Sequence, residues 1–172
     1  MRYRKGGNEF LRHALYAVIL ILCYMLQSAG ILPRIYGISA LPVIPAVTGI
    51  AMLESDTAGI FYGLAAGILM DFGSVGFPGF NAVLLMTAGC TVGLMITLLL
   101  RRSKISAVLM TSGVLFVYVT LHWLFFYLFA GHSQAFYHYV RYSLPCAFYS
   151  LITFFVIYPI LSLIRRVLRP MR

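Results

Sequence analysis

Apolar residues run almost unbroken through four stretches, at roughly 13–31, 79–100, 105–129 and 143–164. Each is about as long as the 17–25 residues that carry a helix across a bilayer. A further apolar region from 39 to 73 is interrupted only by Glu54-Ser55-Asp56. Two acids so close together predict a tight turn that divides the region into helices at 39–54 and 57–73. Ser39 is the expected N-cap of the earlier one, with Pro42 and Pro45 in or near its first turn, where a missing N–H is harmless. That helix is short for a full crossing, so a tilted, kinked or partly re-entrant path is expected.

Composition converts the pattern into an environment. The chain of 172 residues is 62% hydrophobic and 10% charged, whereas soluble domains are nearer half apolar and about a quarter charged. One integral membrane domain over residues 1–172 is therefore expected, an all-α bundle of six transmembrane helices. The formal charge of +9 does not indicate nucleic acid, because the cations cluster at the ends of apolar segments. With the N-terminus inside and six crossings, the inner face holds Arg2, Arg4, Lys5, Arg12, Arg101, Arg102, Lys104, Arg165, Arg166, Arg169 and Arg172. Only Arg34 and Arg141 fall outside, the asymmetry that orients membrane proteins. Were 39–54 not to cross, the C-terminal arginines would be external, so both ends are expected in the cytoplasm. The first helix is read as uncleaved, since its apolar run exceeds the roughly 7–15 residues of a signal peptide.

Within 57–73, glycines recur at Gly59, Gly63 and Gly67, and the next step of four is Asp71. Steps of four drift only about 40° around a helix, so all four positions share one flank. A flank without side chains lets another helix approach backbone to backbone. Two occupants are open: the fourth span, with its own Gly89 and Gly93, or the helix of a partner protein. Asp71, at a helix end, is expected either to close its own helix as an Asx-type turn with Gly73 and Ser74 or to pair with Arg34 or Arg141. A carboxylate at membrane depth needs some such partner.

The remaining polar residues read mostly as packing. Cys23, Cys90 and Cys146 stand alone inside apolar segments, without metal or disulfide spacing. His122, Gln27, Asn81 and Thr87 are expected to hydrogen-bond neighbouring helices. His132 and His138 sit among Phe136, Tyr137, Tyr139 and Tyr142, a composition that suits a segment lying in the interface. The outer half offers few convergent polar groups beyond Asp71, Arg34, Arg141 and the tyrosines. No nucleophile elbow, HExxH, P-loop or dinucleotide motif occurs, so neither an enzyme nor a cofactor is expected.

The run Gly63-xxx-Gly67-xxx-Asp71-xx-Ser74-xxxx-Gly79, after a short span and a turn and before a long apolar helix, resembles the bacterial rod shape-determining protein MreD family, most strongly over residues 42–100. The resemblance implies a six-span protein of the bacterial cytoplasmic membrane, with a fold similar to the S-components of energy-coupling-factor transporters. It implies a non-catalytic role in the elongation machinery that builds lateral peptidoglycan. Its partners would be MreC and, through it, MreB, RodA and a class B penicillin-binding protein, with anionic lipid meeting the basic inner termini. The matching residues Gly63, Gly67, Asp71, Ser74 and Gly79, with Gly59, would form the groove that receives the helix of MreC. The competing expectation is a substrate-binding S-component of such a vitamin transporter.

Overall fold

A backbone immersed in lipid finds no water to satisfy its N–H and C=O groups, so each apolar segment must close its own hydrogen bonds as a helix. The computed structural model describes residues 3–31, 37–54, 56–74, 77–98, 103–129 and 135–168. It is helical, with no strand among these residues. The helices are α1 (Tyr3–Ser28), α2 (Val43–Leu53), α3 (Asp56–Gly73), α4 (Phe80–Leu98), α5 (Lys104–Trp123), α6 (Ala135–His138) and α7 (Leu144–Val167). A π-helical turn, Leu124–Leu128, extends α5, and a second, Tyr139–Ser143, joins α6 to α7. Four helical stretches are long and apolar enough to cross a bilayer: Asn8–Ser28, Phe80–Leu98, Lys104–Tyr127 and Phe136–Val167. Large apolar side chains such as Phe10, Leu22, Phe61, Phe116, Phe148 and Leu163 point outward, which suits a hydrocarbon solvent rather than water. The chain is a helical membrane protein.

The acidic turn at Glu54 separates α2 from α3, as the sequence predicts. The start of α2 differs. It begins at Val43 with Pro42, not Ser39, at the N-cap. Proline disfavours helical backbone in the residue before it, so the helix cannot extend back through Leu41. Pro45 falls in the first turn, where its missing N–H has no intrahelical role.

All eleven residues of α2 are buried, and the helix packs against α1, α3, α4, α5 and α7. Burial on every side explains why this segment is apolar all round instead of amphipathic. Its polar member, Thr48, is satisfied twice, by the Pro45 carbonyl at 3.2 Å and by the Thr111 hydroxyl of α5 at 3.0 Å. Gly49 lets α7 approach, since a Cβ there would stand 2.8 Å from Leu161 Cδ1. Cys23 packs in the same core, as its apolar context implies.

The closest helix pair is α3 with α4. A Cβ on Gly59 would collide with the Gly89 carbonyl oxygen, one on Gly63 with the Leu85 oxygen, and one on Gly67 with Ala82 Cα. A Cβ on Gly89 would in turn strike the Gly59 oxygen. As one index falls by four the other rises by three or four, so the helices run antiparallel with backbones in direct contact. The glycine flank is thus filled by the chain's own fourth helix. The expectation that it receives a partner's helix is corrected: no face remains there for a second occupant.

Because the obstructing atoms are backbone, they cannot rotate aside. Gly63→Ala should cost about 1–3 kcal/mol by forcing the pair apart. Gly113→Ala in α5, where a Cβ meets nothing within 4 Å, should be neutral or stabilising through helix propensity. Thermal unfolding of the two purified variants in detergent checks the contrast.

Candidate functional site

One more step of four beyond Gly67 brings Asp71 opposite the start of α4. Its Oδ2 accepts from the backbone N–H of Gly79 at 3.0 Å and of Ala82 at 3.1 Å, and its Oδ1 from Asn81 N–H at 3.1 Å. These are donors that a helix start leaves without carbonyl partners, and a carboxylate there also meets the favourable end of the helix dipole. Asp71 therefore caps the next helix, not its own. The expected Asx-type closure of α3 is corrected: Ser74 closes it, its N–H and hydroxyl both donating to the Asp71 carbonyl at 3.3 Å. Gly79 completes the turn with φ of +89°, a backbone region that side chains disfavour. Gly59, Gly63, Gly67, Asp71, Ser74 and Gly79 thus come together in one hairpin. Asp71 makes no ion pair among the described residues: Arg141 is exposed in the second π turn, and Arg34 lies outside those residues.

A second polar cluster joins α1 to the α2–α3 turn, at the opposite end of the bundle. Arg12 Nη2 pairs with Glu54 Oε2 at 3.0 Å, with only 13% and 11% of the two side chains exposed. Tyr16 Oη donates to Glu54 Oε1 at 3.1 Å. Tyr62 Oη donates to the His13 carbonyl at 2.9 Å and lies 3.1 Å from His13 Nδ1. A phenol has one proton, so the imidazole supplies the other, which places hydrogen on Nδ1. The signal in the sequence was Arg12 and Tyr16 at a four-residue spacing on the flank of an otherwise apolar helix. It was read only as inner-face charge.

The far end holds a cavity of about 550 Å³. It is lined by the last turn of α1 (Tyr24, Gln27, Ser28), the segment before α2 (Gly37 to Leu41), the end of α3, Asn81 of α4, the end of α5 and the start of α7. That grouping follows from helices that alternate in direction. Expectations for individual residues are partly corrected here. Asn81 does bridge helices, accepting from Tyr118 Oη at 2.7 Å. Gln27 does not: its Oε1 is buried and without a partner among the described residues. Thr87 returns its hydroxyl to its own helix, at Val83 and Leu84. His122 makes ring contacts, stacking on Phe126 at 4.5 Å and on Tyr118 at 6.2 Å. His138 is sandwiched between Tyr127 and Tyr142 at 5.1 and 5.2 Å; His132 lies outside the described residues. The half of the bundle at this end thus gathers more polar groups than the sequence suggested.

No group of three His, Cys, Asp or Glu capable of holding a metal ion occurs among the described residues. No family model matches the chain, nor does any curated protein or solved structure.

Two outcomes follow. Asp71→Ala should cost about 1–2 kcal/mol, the scale of a lost N-cap, with Asp71→Asn intermediate because one of its two oxygens is gone. Faster hydrogen exchange at the Asn81 and Ala82 amides would locate the effect. For the second cluster, Glu54→Gln or Arg12→Met alone should destabilise by about 3–5 kcal/mol, more than the double variant. A thermal-unfolding cycle over the three proteins measures this.

Proposed function

We propose that this chain is a non-catalytic integral component of the bacterial cell-elongation machinery, acting in rod shape and lateral peptidoglycan synthesis from the cytoplasmic membrane. The supporting observation is the motif running from Gly63 to Gly79, in which every residue has a part in one tight hairpin: Gly63 and Gly67 admit α4, Asp71 caps it, and Ser74 and Gly79 shape the turn. A motif held together by such contacts is a coherent basis for the resemblance to MreD. In this reading six segments cross the bilayer with both ends inside. At about 16 Å, α2 is short of the roughly 30 Å hydrocarbon core. The helix itself is buried along its whole length, and a short element at depth is tolerated where protein covers it. The chain acts as a rigid membrane scaffold for MreC, and through it for MreB, RodA and a class B penicillin-binding protein. It meets MreC on a surface other than the glycine flank.

A second reading, the substrate-binding subunit of an energy-coupling-factor transporter, draws on the cavity at the far end of the bundle. Depletion in the source organism separates the two, if that organism is a rod-shaped bacterium. Rods should become round and MreC should lose its association with the chain in pull-downs. Cells that stay rod-shaped but lose uptake of a vitamin would overturn the elongation reading in favour of transport.

A further inference from the structure

We propose that the groove between α4 and α5 holds one acyl chain of an anionic phospholipid, with the headgroup beside Lys104. The two helices follow each other in the chain yet pack mainly elsewhere, α4 against α3 and α2, and α5 against α2 and α7. Between them runs a groove of about 430 Å³, with Leu84, Ala88 and Met95 on one wall and Met110, Gly113 and Val117 on the other. Its polar side chains ask nothing of a guest. Thr87 donates to the Val83 and Leu84 carbonyls at 2.9 Å, Thr91 to the Ala88 carbonyl at 2.9 Å, and Tyr118 to Asn81 at 2.7 Å. A hydrocarbon guest therefore enters without breaking or wasting a hydrogen bond.

Width narrows the choice of occupant. From Leu109 to Leu121 the α5 wall is about 18 Å long, so the mean cross-section of the groove is about 24 Å². A helix about 10 Å across needs roughly 80 Å², and it could rest only on the rim. A single alkyl chain fits inside. Gly113 keeps that space clear. The glycines of α3 each admit a neighbouring backbone, but a Cβ on Gly113 would meet nothing within 4 Å. Glycine weakens a helix interior, and at Gly113 no protein contact offsets that cost; an acyl chain against the bare backbone supplies one.

Charge selects the class of lipid. Lys104 is the first residue of α5 and is exposed, about 8 Å along the helix from Leu109. A flexible lysine stem carries its ammonium to the headgroup level while the chain lies below. Ser103 and Ser106 continue the flank of Met110 and Gly113 at steps of three and four, and their hydroxyls lie 2.9 Å apart. A cation at that height favours an anionic headgroup over a zwitterionic one. The inference requires a bilayer around the chain and neither functional reading.

Native mass spectrometry of the purified full chain tests it. Delipidated protein in detergent is titrated with phosphatidylglycerol or phosphatidylcholine carrying the same two oleoyl chains. One phosphatidylglycerol should bind about fivefold more tightly than phosphatidylcholine, and Lys104→Gln should erase the difference. Gly113→Leu fills the groove, and Val117→Phe blocks it from an exposed position; each variant that retains wild-type thermal unfolding should lose the bound lipid. Equal binding of the two lipids, or lipid binding that survives both blocking variants, would overturn the proposal. A preference unchanged in Lys104→Gln would overturn the headgroup position. A dimer mass that Gly113→Leu converts to monomer would assign the groove to a second copy and also overturn it.

Discussion

A helix leaves its first N–H groups without carbonyl acceptors of its own, and the α3–α4 hairpin is organised around that constraint. Asp71 provides both oxygens to the start of α4, and it reaches them only because glycine at three earlier steps holds the two helices at backbone contact. The two features are interdependent. Side chains on the glycine flank would lift the carboxylate away from its donors, while loss of the carboxylate would leave the first N–H groups of α4 without their acceptor. This hairpin forms one wall of the bundle and carries Asn81 and Met70 to the cavity at the far end.

Much of this was legible in the residues. Long apolar runs marked the helices, and the paired acids marked the break between α2 and α3, because both signals are local. Step-of-four glycines identified a close-packed flank, but periodicity is blind to which helix fills it. Asp71 was recognised as needing a partner. Its partner was missed because eight to eleven residues separate it from donors that become neighbours only after the chain doubles back. The start of α2 was misplaced because Ser39 fits the N-cap preference, although the effect of Pro42 on Leu41 outweighs it. The cavity was illegible for another reason. Tyr24, Gln27, Asn81, His122 and Cys146 come from four helices, and each alone resembles ordinary packing.

The two ends of the bundle solve opposite electrostatic problems. At one end, Arg12 and Glu54 pair beside Tyr16 and tie α1 to the α2–α3 turn, with the Arg12 Nε buried and without a partner among the described residues. Around the cavity at the other, the described lining residues present ring faces and amide or hydroxyl groups and no charged side chain. The first arrangement fixes the place of α1 against the α2–α3 turn.

The complete enclosure of α2 also bears on how the chain is made. This segment is apolar enough to rest in lipid as it leaves the insertion machinery, yet its final seat includes α7, which follows it in the chain by about ninety residues. Gly49 cannot meet Leu161 until α3, α4, α5 and α7 have emerged from the ribosome. The second helix is therefore a lodger in the bilayer until α7 arrives, and α7 is the door that closes behind it.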